Sequence, residues 1–349
     1  MNVTVHQRPG VYSAYDASSV VSGSGAGKQV GLVAVNAKAA ANEVKIVTSY
    51  DGAVNAFGQG TMAELVRLAL KNGAGAVAAV PIAGGEGYAD GFAALEGLED
   101  ITAVICDSTD GDVQKAMKQS VETASANRRE RIAVAAGGAG ETVDQLIARA
   151  KALNHERVVL VAPGGVDKSG ENTDGLGGAA AVAGAIAGES APAVPLGGAV
   201  LTGLYGLSGR YSDGEMDRLI LGGVTPVESL AGTIGVVRGV TTRTTTGEAA
   251  DATWRDLTTI RIVDDVIPTL RRALRTKFQR AKNTAQSRGA IRAQVVLELE
   301  NKKAREIITG YENVTVTADS QDPARCLVDF SFTVAHGLNQ IWLTAHITV

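Results

Sequence analysis

Gly27 and Lys28, inside the stretch SGSGAGKQVGLVAVN from Ser22 to Asn36, are residue types that can cradle a phosphate. A P-loop needs Gly, four residues, then Gly-Lys-Ser/Thr, so that backbone N–H groups wrap the phosphates and a hydroxyl holds Mg²⁺. Here Ser22 stands where the first glycine belongs and Gln29 where the hydroxyl belongs. The glycines also precede the apolar run Val30 to Val35, whereas a phosphate loop follows its strand and opens a helix. Ser22 to Gln29 is therefore expected to be a flexible link feeding a strand, with Lys28 touching no phosphate.

Other candidates for chemistry are thinner. AVAAGGAGETVDQL, Ala133 to Leu146, has strand, glycines and helix in dinucleotide-binding order, but Gly138 and Gly140 are followed by Val143 where the third glycine should be. No acid follows at the ribose distance, so an α/β nucleotide- or dinucleotide-binding enzyme stays as the alternative. His6, His155, His336 and His346 are scattered and form no metal-ligand pair. GLSGR around Ser208 resembles a nucleophile elbow only loosely, with its second glycine one residue early. Asp264 and Asp265 read as carboxylates at the positive end of a helix that contains Pro268. These residues give no catalytic site, no metal site and no cofactor site.

Charge is more informative. From Val266 to Leu297 the chain carries Arg271, Arg272, Arg275, Lys277, Arg280, Lys282, Arg288 and Arg292 without a single acid. Ile267, Leu270, Leu274, Phe278, Ala281 and Ala285 recur there at helical spacing and should face a core. Charge of one sign on the opposite face suits an acidic partner.

Composition sets the frame for these residues. The 349-residue chain is 45% hydrophobic, with 4% aromatic residues and 42 glycines, so its core must use small aliphatic side chains and close backbone approach. A net charge of −4 argues against bulk nucleic-acid or anionic-membrane binding. Cys106 and Cys326 are far apart in apolar runs, as expected of two buried thiols in a reducing compartment. The N-terminal residues lack the apolar stretch of a signal peptide, and LGGAAAVAGAIAG, Leu176 to Gly188, is too short to span a bilayer. It reads as a buried helix.

Apolar runs of strand length at Val30–Val35, Val44–Val47, Ala76–Ile82, Ile101–Cys106, Ile132–Ala136 and Val158–Ala162 alternate with helical segments, such as 61–73, 112–130 and 142–155. That alternation predicts an α/β fold with a central, mostly parallel sheet over residues 29–240. The Gly-rich run Pro163 to Gly178 reads as a long surface loop. Beyond it, a Thr-rich strand (GVTTRTTT), a helix beginning at Asp264, a second helix through 293–308, and three segments of period two make a C-terminal α+β domain over 241–349. Those segments start at Asn313, Cys326 and Gln340, and in the second Cys326, Val328, Phe330, Phe332 and Val334 share a face. Residues 1–28 fit neither pattern and read as an extended arm and linker.

RPGVYS at Arg8 to Ser13, AVAGAIAGESAP at Ala181 to Pro192, and YSDGEMDRLILGGVTPVE at Tyr211 to Glu228 followed by GVVRGVTTRT at Gly235 together resemble contractile phage tail sheath proteins, including those of phage-tail-like bacteriocins and related injection systems. The segments from Thr258 to Val316 and the closing strand pair fit the same family, in the same order. The resemblance implies a structural subunit and no enzyme. It would stack as hexameric rings around an inner tail tube, contract to drive the tube through a cell envelope, and meet baseplate and tail terminator proteins. It implies a virion tail or phage-tail-like particle assembled in the bacterial cytoplasm, with no cofactor, no direct nucleic-acid contact and no membrane insertion. It also implies strands exchanged between subunits, placed here on Val11, Tyr12, Tyr15, Val20 and Val21 in the N-terminal arm and on Ile341, Trp342, Leu343, Ile347 and Val349 in a C-terminal strand at about 340–349. Arg271, Arg275, Arg280 and Lys282 are the candidate tube-facing residues.

Overall fold

A computed structural model describes residues 28–339 and 344. The strands β1 (Gln29–Val35), β3 (Ala76–Ile82), β5 (Ile132–Ala136) and β6 (Val158–Ala162) are nearly unbroken apolar runs. A strand of that composition can be stable only with both faces covered, as in a parallel sheet. With β2 (Lys45–Val47), β4 (Ile101–Cys106), β7 (Thr225–Leu230) and β8 (Thr233–Val236) they form one sheet in the order β2-β3-β1-β4-β5-β6-β7-β8. The six inner strands are parallel, and only the edge strands β2 and β8 run antiparallel.

One face is covered by α1 (Tyr50–Phe57), α2 (Thr61–Lys71) and α6 (Leu176–Gly188), the other by α3 (Tyr88–Glu96), α4 (Gly111–Ala126), α5 (Val143–Leu153) and α7 (Asp213–Leu221). The expected buried helix is α6. Its small residues let it lie against α2 so closely that a methyl group on Gly184 would sit 2.3 Å from the carbonyl oxygen of Ala69. No helix among the described residues is long and apolar enough to cross a membrane.

The sequence following Gly239 departs from expectation in several places. Only Thr245–Thr246 (β9), paired with Ala249–Ala250 (β10), is strand in the Thr-rich segment. Thr241 and Thr242 are buried instead, their hydroxyls donating to the carbonyls of Trp254 and His155. The next helix, α8 (Leu257–Phe278), starts seven residues before Asp264, so Asp264 and Asp265 lie two turns inside it and do not meet the dipole of its first turn. Leu257 and Ile260 pack into the sheet core, while Ile262, Val266 and Leu270 pack into a separate C-terminal core with Val295, Leu299, Ile307 and Ile308. One rod therefore belongs to both cores.

Helix α9 (Ala285–Ala304) begins eight residues earlier than its apolar period suggested and stops before Ile307. Strands β11 (Ile308–Ala318) and β12 (Cys326–Val334) follow and pair antiparallel with each other alone among the described residues. The α4 helix likewise ends at Ala126, four residues short of expectation, where the chain turns to bury Arg131. Arg131 donates to the carbonyls of Leu95 and Leu98, closing the end of α3.

Polar contacts lock α8 in place. Asp264 accepts a two-pronged bond from Arg157 at 2.7 and 2.8 Å, beside the start of β6. Burial pushes the Asp264 carboxyl up against the pull of Arg157, so the pair is held at a desolvation cost and neither charge can be left alone. Arg261, also buried, donates to the carbonyls of Val194 and Glu189, and buried Lys302 from α9 pairs with Asp265.

Removing one member of the Arg157–Asp264 pair should strand the other charge. Arg157→Ala is expected to cost about 3 kcal/mol or more, read as a lowered urea midpoint. Arg157→Met combined with Asp264→Leu should recover most of that loss, and equal losses in the single and double variants would remove the pair from this role.

Candidate assembly interface

The C-terminal unit presents two features that a self-contained protein usually hides. The first is strand edge. With β11 and β12 paired only to each other, each has a second edge whose N–H and C=O groups find no strand partner among the described residues. Strands of 11 and 9 residues are long for unprotected edges, and such edges accept strands from other chains.

Beside β12 runs a groove of about 430 Å³, lined among others by Leu274, Phe278, Ile291, Cys326 and Val328. The residues Val328, Phe330, Phe332 and Val334 turn toward the C-terminal core, with the Phe330 and Phe332 rings stacked 6.2 Å apart. Cys326 is half-buried at the groove's margin, whereas the expectation of two buried thiols holds for Cys106, which burial pushes up to about 12.

The second feature is charge. Arg272, Arg275, Arg280 and Lys282 are exposed along and just beyond the end of α8. None of the four is in an ion pair among the described residues. Arg271 differs from the rest of the candidate set, because it pairs at 2.9 Å with Glu130 of its own chain. Lys277 donates to Gln294 and Arg292 to the carbonyl of Val314, so these two are also partly committed. Ala281 and Ala285 are exposed and face no core, because α8 ends at Phe278 and a turn separates it from α9. The strand-exchange candidates Val11, Tyr12, Tyr15, Val20, Val21, Ile341, Trp342, Leu343, Ile347 and Val349 lie outside the described residues.

Residues 82–242 match the family model of the phage tail sheath protein central domain, and residues 249–348 match that of the phage tail sheath C-terminal domain. The chain belongs to the phage tail sheath family. No curated protein matches it. Among solved structures, the sheath of the anti-feeding prophage in its contracted state shares 17% identity and a TM-score of 0.73, over 98% of this chain and 99% of that one. The contracted sheath of the PVC extracellular contractile injection system shares 18% identity and a TM-score of 0.70, covering 99% of each chain. A sheath tail protein from Desulfitobacterium hafniense shares 13% identity and a TM-score of 0.70, over 93% of this chain and all of that one. At these identities the structures show a common fold.

In this sheath chain the loops that looked like ligand sites are closed by the protein's own groups. Lys28 precedes β1, at the amino end of the parallel strands, and its Nζ donates to the carbonyl of Glu189 at 3.5 Å. Anion sites of such sheets lie at the opposite, carboxyl end. Burial, with Arg261 nearby, pulls the Lys28 ammonium down. At the Gly138 turn, the carboxylate of Glu141 accepts the Gly138 N–H at 2.8 Å and is held in turn by Arg149. Burial alone would raise the Glu141 carboxyl, yet the bonds from Arg149 and Gly138 outweigh it and keep the group below its ordinary range. An internal anion thus sits where a phosphate would have to bind.

Ser208 lies in a loop bridged to Gly165 through Leu207, with no helix starting before Asp213, so it forms no nucleophile elbow. His155 takes the Arg157 N–H on Nδ1 and faces Glu122 at 3.1 Å through Nε2. No group of three metal-ligating side chains occurs among the described residues.

Adding ATP or GTP with Mg²⁺ should leave the melting temperature unchanged, because the Gly138 N–H is already taken and Lys28 lies at the wrong end of its strand. A saturable rise that disappears in Lys28→Ala would contradict this assignment.

Proposed function

We propose that this sheath-family chain polymerises as stacked hexameric rings around an inner tail tube and contracts to drive the tube through a cell envelope. It would work in a virion tail or phage-tail-like particle, associated with baseplate and terminator proteins. The observation that carries the proposal is the pair of strand edges on β11 and β12 that find no strand partner among the described residues, in a chain matched over most of its length by sheath domain families. A two-stranded sheet is marginal alone, and added strands would complete it. The arm residues Val11 to Val21 and the closing segment Gln340 to Val349 supply sequences of strand type for this role. The helix α8, fixed in both cores, would carry the completed sheet as a rigid body, while the linker Ser22 to Lys28 absorbs motion between subunits.

An added strand making about five backbone hydrogen bonds at ~1 kcal/mol each contributes on the order of 5 kcal/mol before ordering entropy. Repeated through every subunit, that is enough to hold a lattice while its rigid parts move. Deleting Ile341 to Val349 should leave α/β circular dichroism intact but abolish ordered rods in negative-stain images. Ordinary rods from the truncated chain would exclude strand exchange through this segment.

The exposed cations Arg275, Arg280 and Lys282 are proposed to face the tube, with Arg271 contributing only if it leaves Glu130. Each exposed pair is worth only ~0.2 to 1 kcal/mol, so the effect depends on repetition around every ring. Arg275→Glu with Arg280→Glu should weaken co-sedimentation with tubes without lowering the melting temperature, and high salt should do the same to the unaltered chain. Docking indifferent to both would place the tube contact elsewhere.

A further inference from the structure

The basic stripe has a counterpart on the other side of the charge balance. Between Lys71 and Lys115 the chain contains no Lys or Arg but has eight acids: Glu86, Asp90, Glu96, Glu99, Asp100, Asp107, Asp110 and Asp112. Half of them are used within the subunit. Asp107 accepts from the Val35 N–H and the Tyr88 hydroxyl, Asp110 caps α4, Asp112 pairs with Lys115, and Glu96 acts on the buried Arg131. The other four, Glu86, Asp90, Glu99 and Asp100, are exposed and join no ion pair among the described residues.

They flank α3 at its start, along its outward face and just past its end. Between them the other fully exposed positions are Ala89, Ala93 and Gly97, which carry nothing larger than a methyl group. A shallow track of this kind, about 13 Å long at the helical rise, admits another helix carrying long cationic side chains. The exposed cations Arg272 and Arg275 lie on the last turns of α8 and Arg280 just past its end, so the three span a comparable stretch of eight residues. No ion pair within the subunit joins the two stripes, and the acids of α3 would repel nucleic acid or an anionic membrane.

We propose that the acidic stripe of α3 on one sheath subunit docks against the basic stripe at the end of α8 on a second copy. The α8 stripe then has two acidic partners, the tube and a neighbouring subunit, which compete for it. This rests on the reading of the chain as a polymerising subunit, and it concerns a contact separate from strand exchange. Opposed single-sign stripes fix which faces meet and repel like faces, which is how charge selects register between otherwise similar surfaces.

The test uses two full-length variants, Glu86→Lys/Asp90→Lys/Glu99→Lys and Arg272→Glu/Arg275→Glu/Arg280→Glu, with the melting temperature as a check on folding. Self-association without tube is followed by sedimentation at about 50 mM and about 500 mM salt. Each variant alone should need roughly tenfold more protein than the unaltered chain to associate at low salt. An equimolar mixture of the two should recover association, because each then offers the other its opposite charge. The acid-reversed variant should still co-sediment with tubes, while the base-reversed one should not.

Self-association of the acid-reversed variant at the unaltered chain's concentration would overturn the proposal, as would a mixture without recovery. Either result would leave the tube contact standing, because that contact is read from a different arm of the experiment.

Discussion

Helix α8 is held in two hydrophobic cores at once, and the placement of the described residues that follow it depends on that. Its first turns pack with the large sheet through Leu257 and Ile260, and its middle packs with α9 and the C-terminal strands through Ile262, Val266 and Leu270. Between these contacts, Arg157 from the sheet grips Asp264. A buried pair of this kind contributes little net stability compared with apolar side chains of similar volume, yet breaking half of it is costly. Its effect is to forbid alternatives: α8 cannot slide or turn by one residue without exposing a lone charge to a dry interior. Pro268 lies within the same helix and leaves the Asp264 carbonyl without its usual backbone donor, close to the point where the two cores meet.

A rigid α8 gives the C-terminal strands a fixed address. The sheet of β11 and β12 rests one face on a small core and leaves its edges unpartnered among the described residues. In a monomeric enzyme that arrangement invites aggregation, and chains generally cover or charge such edges. Under the proposed assembly the same edges would be assets, because completion by neighbouring chains would couple folding energy to assembly. The large α/β layer would then act as a block that transmits force; its potential ligand loops are filled by internal contacts such as Glu141 on Gly138.

The distribution of charge follows the same division between internal and external use. Carboxylates and cationic groups that lie between elements are paired, as in Arg157 with Asp264, Arg149 with Glu141 and Lys302 with Asp265. Those left over are sorted by sign, acids around α3 and bases around the end of α8. A net charge of −4 conceals this sorting, since the two stripes nearly cancel.

The residues alone determined the parallel sheet, because runs such as VAAV and VVLVA are apolar on both faces and only a doubly covered strand can bury them. They also determined α6, whose Ala and Gly content is legible as close packing, and the alternating β12. The order of motifs carried the family. What only the tertiary structure decided concerns residues whose burial comes from distant partners. Asp264 and Asp265 looked like a helix start because their neighbours in sequence say so, but Arg157 and Lys302, more than thirty residues away from their respective partners, allow them to sit inside α8. Thr241 and Thr242 have strand propensity, yet their bonds to Trp254 and His155 fold them into an irregular segment. Arg271 belongs by sequence to an outward cationic stripe, yet Glu130, distant in sequence, pairs with it in the fold. Local pattern reports which faces are apolar; whether a polar group is free or already satisfied depends on what the fold brings across from elsewhere in the chain.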